Sequence, residues 1–359
     1  MNHASAYSRI DRLLHRMAFS GTQIQVALAD IEDQVYARNI PTGPVARPVF
    51  VTALPRAGTT LLLEAVASLP EFATHTYRHM PFVLCPLLWD AVSRGLRHQG
   101  APRERAHGDG VMVDFDSPEA FEEVVWKAFW PDCYKVDRIT PWPGRAPEEF
   151  ATFLDQHMRK VAALSGAGGE AGVRYASKNN ASIARLDLLA RMFPDGAILV
   201  PFRNPVDHAA SLMQQHANFR AIHATDRFAR DYMAYIGHFE FGDLLRPIDF
   251  DGWIDAADAI SPDTVGFWLA YWVAAYAHIL AAGAPNVVLL DYDACCASAR
   301  TALGALADVL DVADRDAMTA QAGRFRAPTV HDREGLHSPP ALLHRALDLH
   351  EELKVAALI

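Results

Sequence analysis

Four short runs of the chain are continuously apolar or rich in β-branched residues, and each leads into a segment with helical periodicity. Runs of this kind are typical of strands that are buried on both faces of a parallel sheet. The alternation of strands with helices predicts a doubly wound α/β fold, with helices flanking the sheet. The predicted strands are RPVFVTAL at 47–54, VRYAS at 173–177, AILVPF at 197–202 and NVVLLDY at 286–292.

Segments outside the predicted sheet have mainly helical patterns. Two helices are expected near 7–19 and 22–38, ahead of a proline- and glycine-rich stretch that separates a helical lead-in from the sheet. Between the first two strands, SPEAFEEVVWKAFW at 117–130 predicts a helix that starts at Ser117 and belongs to an inserted helical subdomain. The predicted organisation is a lead-in at 1–45, an α/β domain at 46–330 with its insertion at about 75–170, and a helical tail at 331–359.

The most apolar segment, VGFWLAYWVAAYAHILAAGA at 265–284, is about long enough to span a bilayer. It contains His278 and several tyrosine and tryptophan side chains, no basic residues follow it, and Pro262 and Gly283 punctuate it. These features favour a buried helix of a globular protein over a membrane span. We therefore expect no membrane insertion.

The charge of the chain excludes some classes of partner. The 359 residues carry a formal net charge of −10, whereas affinity for nucleic acid depends on a basic surface. We expect a small-molecule partner and no nucleic acid, and any anion must be bound by a local cluster of donors.

The sequence also favours a cytoplasmic location. The first residues, MNHASAYSRIDRLLHRMAF, lack the continuous apolar region of a signal peptide. Cysteines 85, 133, 295 and 296 show no C-x-x-C spacing, and the two adjacent ones are poorly placed for a disulfide. Reduced cysteines fit a cytoplasmic protein.

The loop after the first predicted strand has nearly the frame of the phosphate-binding motif G-x-x-x-x-G-K-[ST]. Ala53 replaces the first glycine, and Thr59 stands where the lysine belongs. Gly58 allows close approach to an anion, which the following backbone amides and the hydroxyls of Thr59 and Thr60 can bind. The sequence thus predicts a P-loop-like phosphate site without the lysine, and Arg56 supplies a cation within the loop.

A second anion site is predicted in FRNPVDHAASL. Arg203 ends a strand, Asn204 and Pro205 suit the start of a helix, and Ser211 follows about two turns later. Helical side chains lean towards the N-terminus, so Arg203 and Ser211 can reach one phosphate. The guanidinium offers bidentate donors that match phosphate geometry.

These motifs together resemble those of sulfotransferases that use 3′-phosphoadenosine 5′-phosphosulfate (PAPS), in particular the tyrosylprotein and carbohydrate enzymes. PRAGTT at 55–60 is similar to their P-[KR]-x-G-[TS]-[TS] loop, and SKNNASIARLDLLARMFPDGAILVPFRNP at 177–205 is similar to the stretch that carries their lysine. The resemblance covers roughly residues 47–70, 173–215 and 286–312, so it says nothing about the choice of acceptor.

The resemblance implies a PAPS-dependent transferase that needs no metal and acts on a hydroxyl or amine of a small acceptor. Arg56 and Lys178 would be catalytic, because they offset charge near the transferring sulfuryl group. Arg203 and Ser211 would bind the 3′-phosphate. The 5′-phosphate would be bound by Arg56 and the following loop residues Ala57, Gly58, Thr59, Thr60 and Leu61.

Sulfuryl transfer also needs a proton acceptor. The related enzymes carry a glutamate about twenty residues beyond the loop arginine, where this chain has Thr76, Tyr77 and Arg78. His79 is the predicted replacement, since its pKa suits neutral pH. His107 with Asp109 is the second choice, and Glu123 is the third.

Two alternatives stay open at this stage. The strand VVLLD resembles a Walker B strand, so a kinase or NTPase could use Asp291 as its metal-side carboxylate. A non-catalytic nucleotide-binding protein would keep both anion sites and lack turnover. The identity of the acceptor and the oligomeric state are beyond the sequence.

Overall fold

The structure is a computed structural model that describes residues 21–93, 117–165, 172–256, 260–327 and 338–359. It also describes His15, Ala18 and the backbone at 103–104 and 112–113. The predicted helix at 7–19 lies outside the described residues, apart from His15 and Ala18, which are helical. The predicted base candidates His107 and Asp109 lie outside them as well.

Within the described residues, five parallel strands form one sheet in the order β2-β5-β1-β6-β7. This confirms the predicted parallel α/β sheet. All four predicted strands are present, and β2, only two residues long, was not foreseen. The strands are β1 Val49–Val51, β2 Phe72–Ala73, β5 Arg174–Lys178, β6 Ala197–Phe202 and β7 Val287–Asp291, while β3 Arg103–Glu104 and β4 Met112–Val113 form a separate antiparallel pair.

Helices flank this sheet and build the insertion. The second predicted helix is present, although it ends earlier than expected. In chain order the helices are α1 Thr22–Val35, α2 Thr59–Ala67, α3 Pro86–Ser93, α4 Glu123–Phe129, α5 Glu148–Leu164, α6 Leu186–Met192, α7 Pro205–Thr225, α8 Arg227–Ile236, α9 Trp253–Ala256, α10 Val265–Ala282, α11 Tyr292–Ala297, α12 Ala299–Leu310, α13 Arg315–Ala320 and α14 Pro340–Ala356.

The central strand β1 is buried on both faces. Val49 and Val51 belong to one cluster of buried apolar side chains, and Phe50 belongs to another. Successive side chains of a strand point to opposite faces, so the two clusters lie on the two sides of the sheet. The carboxyl end of β1, where the predicted loop begins, is therefore held rigidly from both sides.

The insertion differs from its prediction at one helix. Helix α4 begins at Glu123, six residues later than the predicted start at Ser117. The preceding residues pair with the segment after β2 instead: Glu119 N–H donates to the His75 carbonyl at 2.9 Å, and Tyr77 N–H donates to the Ser117 carbonyl at 3.3 Å. The limits of the lead-in, the α/β domain and the tail stay a prediction.

Helix α10 is long and apolar enough to cross a membrane by length and composition. In this structure 56% of it is buried, and it packs between α7 and α14. Beyond α14, Leu358 N–H donates to the Leu289 carbonyl at 3.0 Å and Asp291 N–H donates to the Ile359 carbonyl at 3.3 Å. These bonds cover the outer edge of β7.

Candidate functional site

The loop between β1 and α2 leads into a helix whose start is not capped by a side chain. Gly58 caps the helix with φ 94°, and no side chain bonds to the cap. The first N–H groups of a helix have no partners inside it, and they favour an anion. A Cβ on Gly58 would lie 2.2 Å from Tyr292 Cε2, so only glycine fits against this ring.

Two side chains from the β6–α7 segment hold the carbonyls of this loop. His208 Nε2 donates to the Pro55 carbonyl at 2.7 Å, and Arg203 Nη1 donates to the Arg56 carbonyl at 3.0 Å. Burial, together with the charges of Arg203 and Arg56, lowers the pKa of His208 to about 3, so the ring is neutral. Arg56 itself has φ 70°, an uncommon conformation that these two bonds help to maintain.

The structure brings Arg56, Arg203 and Ser211 together. Arg56 Nε donates to Ser211 Oγ at 3.4 Å, so the side chain of the loop arginine points towards the predicted 3′-phosphate site. Arg203 is only 5% exposed, and its Nε has no hydrogen-bond partner among the described residues. Its nearest carboxylate oxygen, Asp293 Oδ1, is 3.9 Å away. A buried guanidinium with an unused donor is suited to bind an anion.

The two loop threonines differ in position. Thr59 is 3% exposed, and its hydroxyl donates to Asn180 Oδ1 at 3.4 Å. Asn180 in turn donates from Nδ2 to Glu240 Oε1 at 3.0 Å. The Thr59 side chain therefore connects the loop to the segment after β5. Thr60 and Leu61 are half-buried, and Ala57 is fully buried.

Lys178 ends β5 beside β1, where it pairs in register with Val51. It lines a pocket, here named the Lys178 pocket, at the carboxyl edge of the sheet, where ligands of such sheets bind. The pocket has apolar walls with several polar groups among them. Its lining residues are Pro55, Lys178, Asn180, Phe219, His223, Met233, His238, Glu240 and Phe241.

Glu119 lies within electrostatic reach of both Lys178 and His238. Burial would raise the pKa of Glu119, but its interactions with His238 and Lys178, with donors from Ala120 N–H and Tyr77, hold it below its usual value. His238 Nε2 donates to the Ala120 carbonyl at 3.4 Å. In the neutral ring this bond leaves Nδ1 as the proton-accepting nitrogen.

His79 lies in a buried row of three histidines. Thr76 N–H donates to His79 Nδ1 at 3.2 Å, so the neutral ring carries its proton on Nε2. His75 Nδ1 then donates to His79 Nδ1 at 3.2 Å, and His157 Nε2 donates to His75 Nε2 at 3.0 Å. Burial lowers the pKa of His75 and brings that of His157 to about 3. His79 as the base stays a prediction, and its accepting nitrogen is already engaged.

Glu123 is held in a buried ion pair. Its carboxylate accepts hydrogen bonds from Arg185 and Tyr134, and from Asn179 Nδ2 at 2.6 Å. The Arg185 guanidinium also lies 4.0 Å from the Trp126 ring centroid. The oxygens of Glu123 are thus engaged in structural contacts, and its role as a base stays a prediction.

Asp291, the carboxylate that a nucleotide-dependent kinase would use, caps a helix. Its Oδ1 accepts from Asp293 N–H at 3.0 Å and from Ala294 N–H at 3.1 Å. The side chain is buried at the start of α11. This N-cap role accounts for the aspartate at the end of VVLLD without a metal.

Five polar residues of the site were not foreseen: Glu119, His208, His223, His238 and Glu240. His208 had a usable signal, since it follows Arg203 by five residues on the same helix start. His238 follows Gly237, which ends α8 in a left-handed conformation with φ 81°. A glycine after a helical pattern predicts such a helix end, so the sequence indicated a turn at His238 but not its place in the pocket. Glu119 and Glu240 join the site only through the tertiary fold.

Comparisons with known proteins identify related chains. A model of the sulfotransferase family matches residues 48–241. An uncharacterized protein of Aquifex aeolicus (strain VF5) is 25% identical over 224 residues, which are 62% of this chain, and this chain spans only 23% of that protein's length.

Solved structures resemble the whole fold at low sequence identity. A sulfotransferase from Mycobacterium avium has a TM-score of 0.50 and 11% identity, over 91% of this chain and 81% of its own. One from Mycobacterium tuberculosis H37Rv has a TM-score of 0.48 and 13% identity, over 86% and 79%. At this identity the first likeness shows a shared fold.

Proposed function

The chain belongs to the sulfotransferase family, and from this premise we propose that it transfers a sulfuryl group from PAPS to a small acceptor. The acceptor supplies a hydroxyl or amine. In a single in-line displacement, the acceptor atom forms a bond to sulfur while the bond from sulfur to the bridging phosphate oxygen breaks. 3′-Phosphoadenosine 5′-phosphate leaves with that electron pair, and the acceptor's proton goes to a side chain.

One observation carries the proposal: the buried Arg203 guanidinium has an unused Nε donor, and its Nη1 bonds to the carbonyl of Arg56, whose side chain reaches Ser211. Leaving a buried charged donor unsatisfied is costly, so such a group is suited to a bound anion. We assign the 3′-phosphate of the donor to this site, because that phosphate can accept from the unused guanidinium donor. The assignment has a consequence for specificity: nucleotides that carry phosphates at the 5′ end alone lack this group.

The 5′ end of the donor fits the start of α2. Gly58 allows the backbone to approach a phosphate, and the N–H groups at the start of α2, where no side chain caps the helix, favour an anion. His208 and Arg203 fix the loop through its carbonyls, so the anion site is preorganised. The Thr60 hydroxyl can add a donor at the same helix start.

Lys178 is the cation that we assign to the reacting sulfuryl group. It ends the strand next to the loop and lines the same pocket as Pro55. A positive charge at this place stabilises the negative charge that develops on the bridging oxygen and the sulfuryl oxygens. Arg56 contributes to both phosphate sites. Its backbone belongs to the loop that we assign to the 5′-phosphate, while its side chain reaches Ser211 in the site that we assign to the 3′-phosphate.

His238 is the proton acceptor that the pocket favours. It lines the Lys178 pocket, and its bond to the Ala120 carbonyl leaves Nδ1 to accept a proton. The nearby Glu119 carboxylate stabilises the imidazolium that then forms. His79, by contrast, already accepts the Thr76 N–H at the nitrogen in question.

Release of 3′-phosphoadenosine 5′-phosphate from PAPS tests this function without knowledge of the acceptor. In the absence of an acceptor, water takes its place and gives slow hydrolysis. We expect hydrolysis in the presence of a chelator, which Lys178→Ala lowers by about a hundredfold. Absence of both binding and hydrolysis in the wild-type protein contradicts the proposed function.

A further inference from the structure

His223 is a buried histidine in the wall of the Lys178 pocket. It lies near the end of α7 and is 6% exposed. Its Nδ1 accepts the Asp243 N–H at 3.1 Å, while its Nε2 has no hydrogen-bond partner among the described residues. The imidazole is therefore satisfied on one side only.

The neighbouring turn fixes which nitrogen of His223 carries the proton. Because Nδ1 accepts from a backbone N–H, the neutral ring must carry its hydrogen on Nε2. Burial lowers the pKa of His223, with Arg230 acting in the same direction and Asp243 opposing both, so the neutral form is favoured. The unpaired Nε2 is thus a hydrogen-bond donor.

The ring cannot easily turn away to find a partner. Gly242 has φ 66°, and a Cβ at this position would lie 2.6 Å from His223 Nδ1. The turn therefore packs closely against the accepting side of the ring. A buried N–H without a partner is unfavourable, so a residue held in this state points to a ligand.

The surroundings of His223 indicate the chemistry of that ligand. Phe219, Met233 and Phe241 form apolar walls, and the polar groups include Lys178, His238 and Glu240. A molecule in this pocket would present its reacting group to Lys178 and rest its body on the aromatic walls. A further oxygen or nitrogen with a lone pair can then accept from His223.

We propose that His223 is a specificity residue that donates a hydrogen bond from Nε2 to a second polar group of the acceptor, such as a carbonyl or ether oxygen. The inference rests on the proposed function, since it assigns the Lys178 pocket to the acceptor. It selects a class of acceptors with an apolar body, one nucleophilic hydroxyl or amine, and a separate hydrogen-bond-accepting atom.

The chain provides a matched control in His216, two turns earlier on α7. His216 Nδ1 accepts the Gly242 N–H at 3.1 Å, and the residue is also 6% exposed. Its ring lies 5.5 Å from that of Trp268 and does not contribute to the described wall of the Lys178 pocket. Substitution there disturbs the same turn without removing the proposed donor.

The test compares the binding of hydroxyacetophenones and ethylphenols, at the 3- and 4-positions, to the complex with 3′-phosphoadenosine 5′-phosphate. Each pair is alike in shape and differs in a carbonyl oxygen. Calorimetry on the wild-type protein should favour the carbonyl compound of at least one pair by about three- to tenfold, the scale of one hydrogen bond. His223→Leu should abolish this preference, and His216→Leu should retain it.

His223→Gln separates recognition from structure. The glutamine amide keeps a donor near the position of Nε2, while both variants lose the imidazole that accepts the Asp243 N–H. We expect His223→Gln to restore the preference in part. A wild-type protein that binds 3′-phosphoadenosine 5′-phosphate yet distinguishes no pair overturns this inference alone, and so does a preference that persists in His223→Leu. Failure to bind 3′-phosphoadenosine 5′-phosphate overturns the proposed function instead.

Discussion

Arg203 donates a hydrogen bond from Nη1 to the carbonyl oxygen of Arg56, at 3.0 Å. Arg203 directly follows β6 and Arg56 lies in the loop after β1, so the bond joins the segments that leave two adjacent parallel strands at their carboxyl ends. In the proposed function it also joins the sites for the two phosphate ends of the donor. The geometry of one site therefore depends on the other.

Arg203→Lys should weaken the binding of 3′-phosphoadenosine 5′-phosphate by about tenfold or more. Lysine keeps the charge but loses the planar set of donors that serves both the loop carbonyl and a phosphate. Calorimetry measures the change, and Arg220→Lys on the exposed part of α7 is the control. Equal affinities for the Arg203→Lys variant and the wild type would remove Arg203 from the phosphate site.

Lys178→Ala should lower turnover by about a hundredfold while it changes the affinity for 3′-phosphoadenosine 5′-phosphate only slightly. Lys178 faces charge that develops during transfer, whereas this product carries no sulfuryl group. The assay follows the release of 3′-phosphoadenosine 5′-phosphate from PAPS. A variant with normal turnover and weak binding would show that Lys178 holds the nucleotide instead.

His238→Gln should reduce donor hydrolysis by about a hundredfold. Glutamine cannot accept the proton, although it can still donate to the Ala120 carbonyl. His79→Gln provides the comparison, because His79 was the base predicted from sequence. Should His79→Gln lose the activity while His238→Gln keeps it, the assignment reverses.

Glu123→Gln should lower the free energy of unfolding by about 3–5 kcal/mol, because Arg185 then keeps a buried charge without its partner. Chemical denaturation measures this loss. Asp263→Asn, which breaks the exposed pair with Arg220, should change stability by less than about 1 kcal/mol. If Glu123→Gln is fully stable but inactive, Glu123 acts in the chemistry after all.

Acid should destabilise the fold through its buried neutral histidines. The pKa of both His157 and His208 is lowered from the usual 6.5 to about 3. Below pH 6.5 the unfolded chain binds protons that the folded chain does not bind until about pH 3. Stability is therefore constant above this window and falls within it, by up to about 1.4 kcal/mol per pH unit for each histidine. Urea unfolding at a series of pH values measures how the free energy of unfolding changes with pH, and His157→Gln should reduce that slope. A free energy of unfolding that does not change between about pH 5 and 6.5 contradicts the account.

The central part of the fold is predictable because its signals are local. The strand, the loop at 55–60 and the helix after it follow one another in sequence, and so do Arg203, Asn204 and Ser211. The helix start at Ser117 was wrong because Ser117 and Glu119 bond to the chain at Tyr77 and His75, which is a tertiary effect.

The pocket was harder to predict than the phosphate sites. His223, His238 and Glu240 are separate in sequence from Lys178, and no motif connects them. Their roles depend on which nitrogen or oxygen is already bonded to the backbone or to Asn180. Such bonds form only after α7 and α8 have packed beside the sheet.

The most direct test of the central claim is calorimetry with three ligands: 3′-phosphoadenosine 5′-phosphate, AMP, and ATP with Mg²⁺. The account predicts that 3′-phosphoadenosine 5′-phosphate binds without metal at micromolar affinity or tighter. AMP should bind about tenfold more weakly or worse, since loss of the 3′-phosphate removes charge-assisted bonds of about 1.5–3 kcal/mol. A difference of less than about threefold between these two, or tighter binding of ATP with Mg²⁺, would contradict the assignment of Arg203 and Ser211 to a 3′-phosphate.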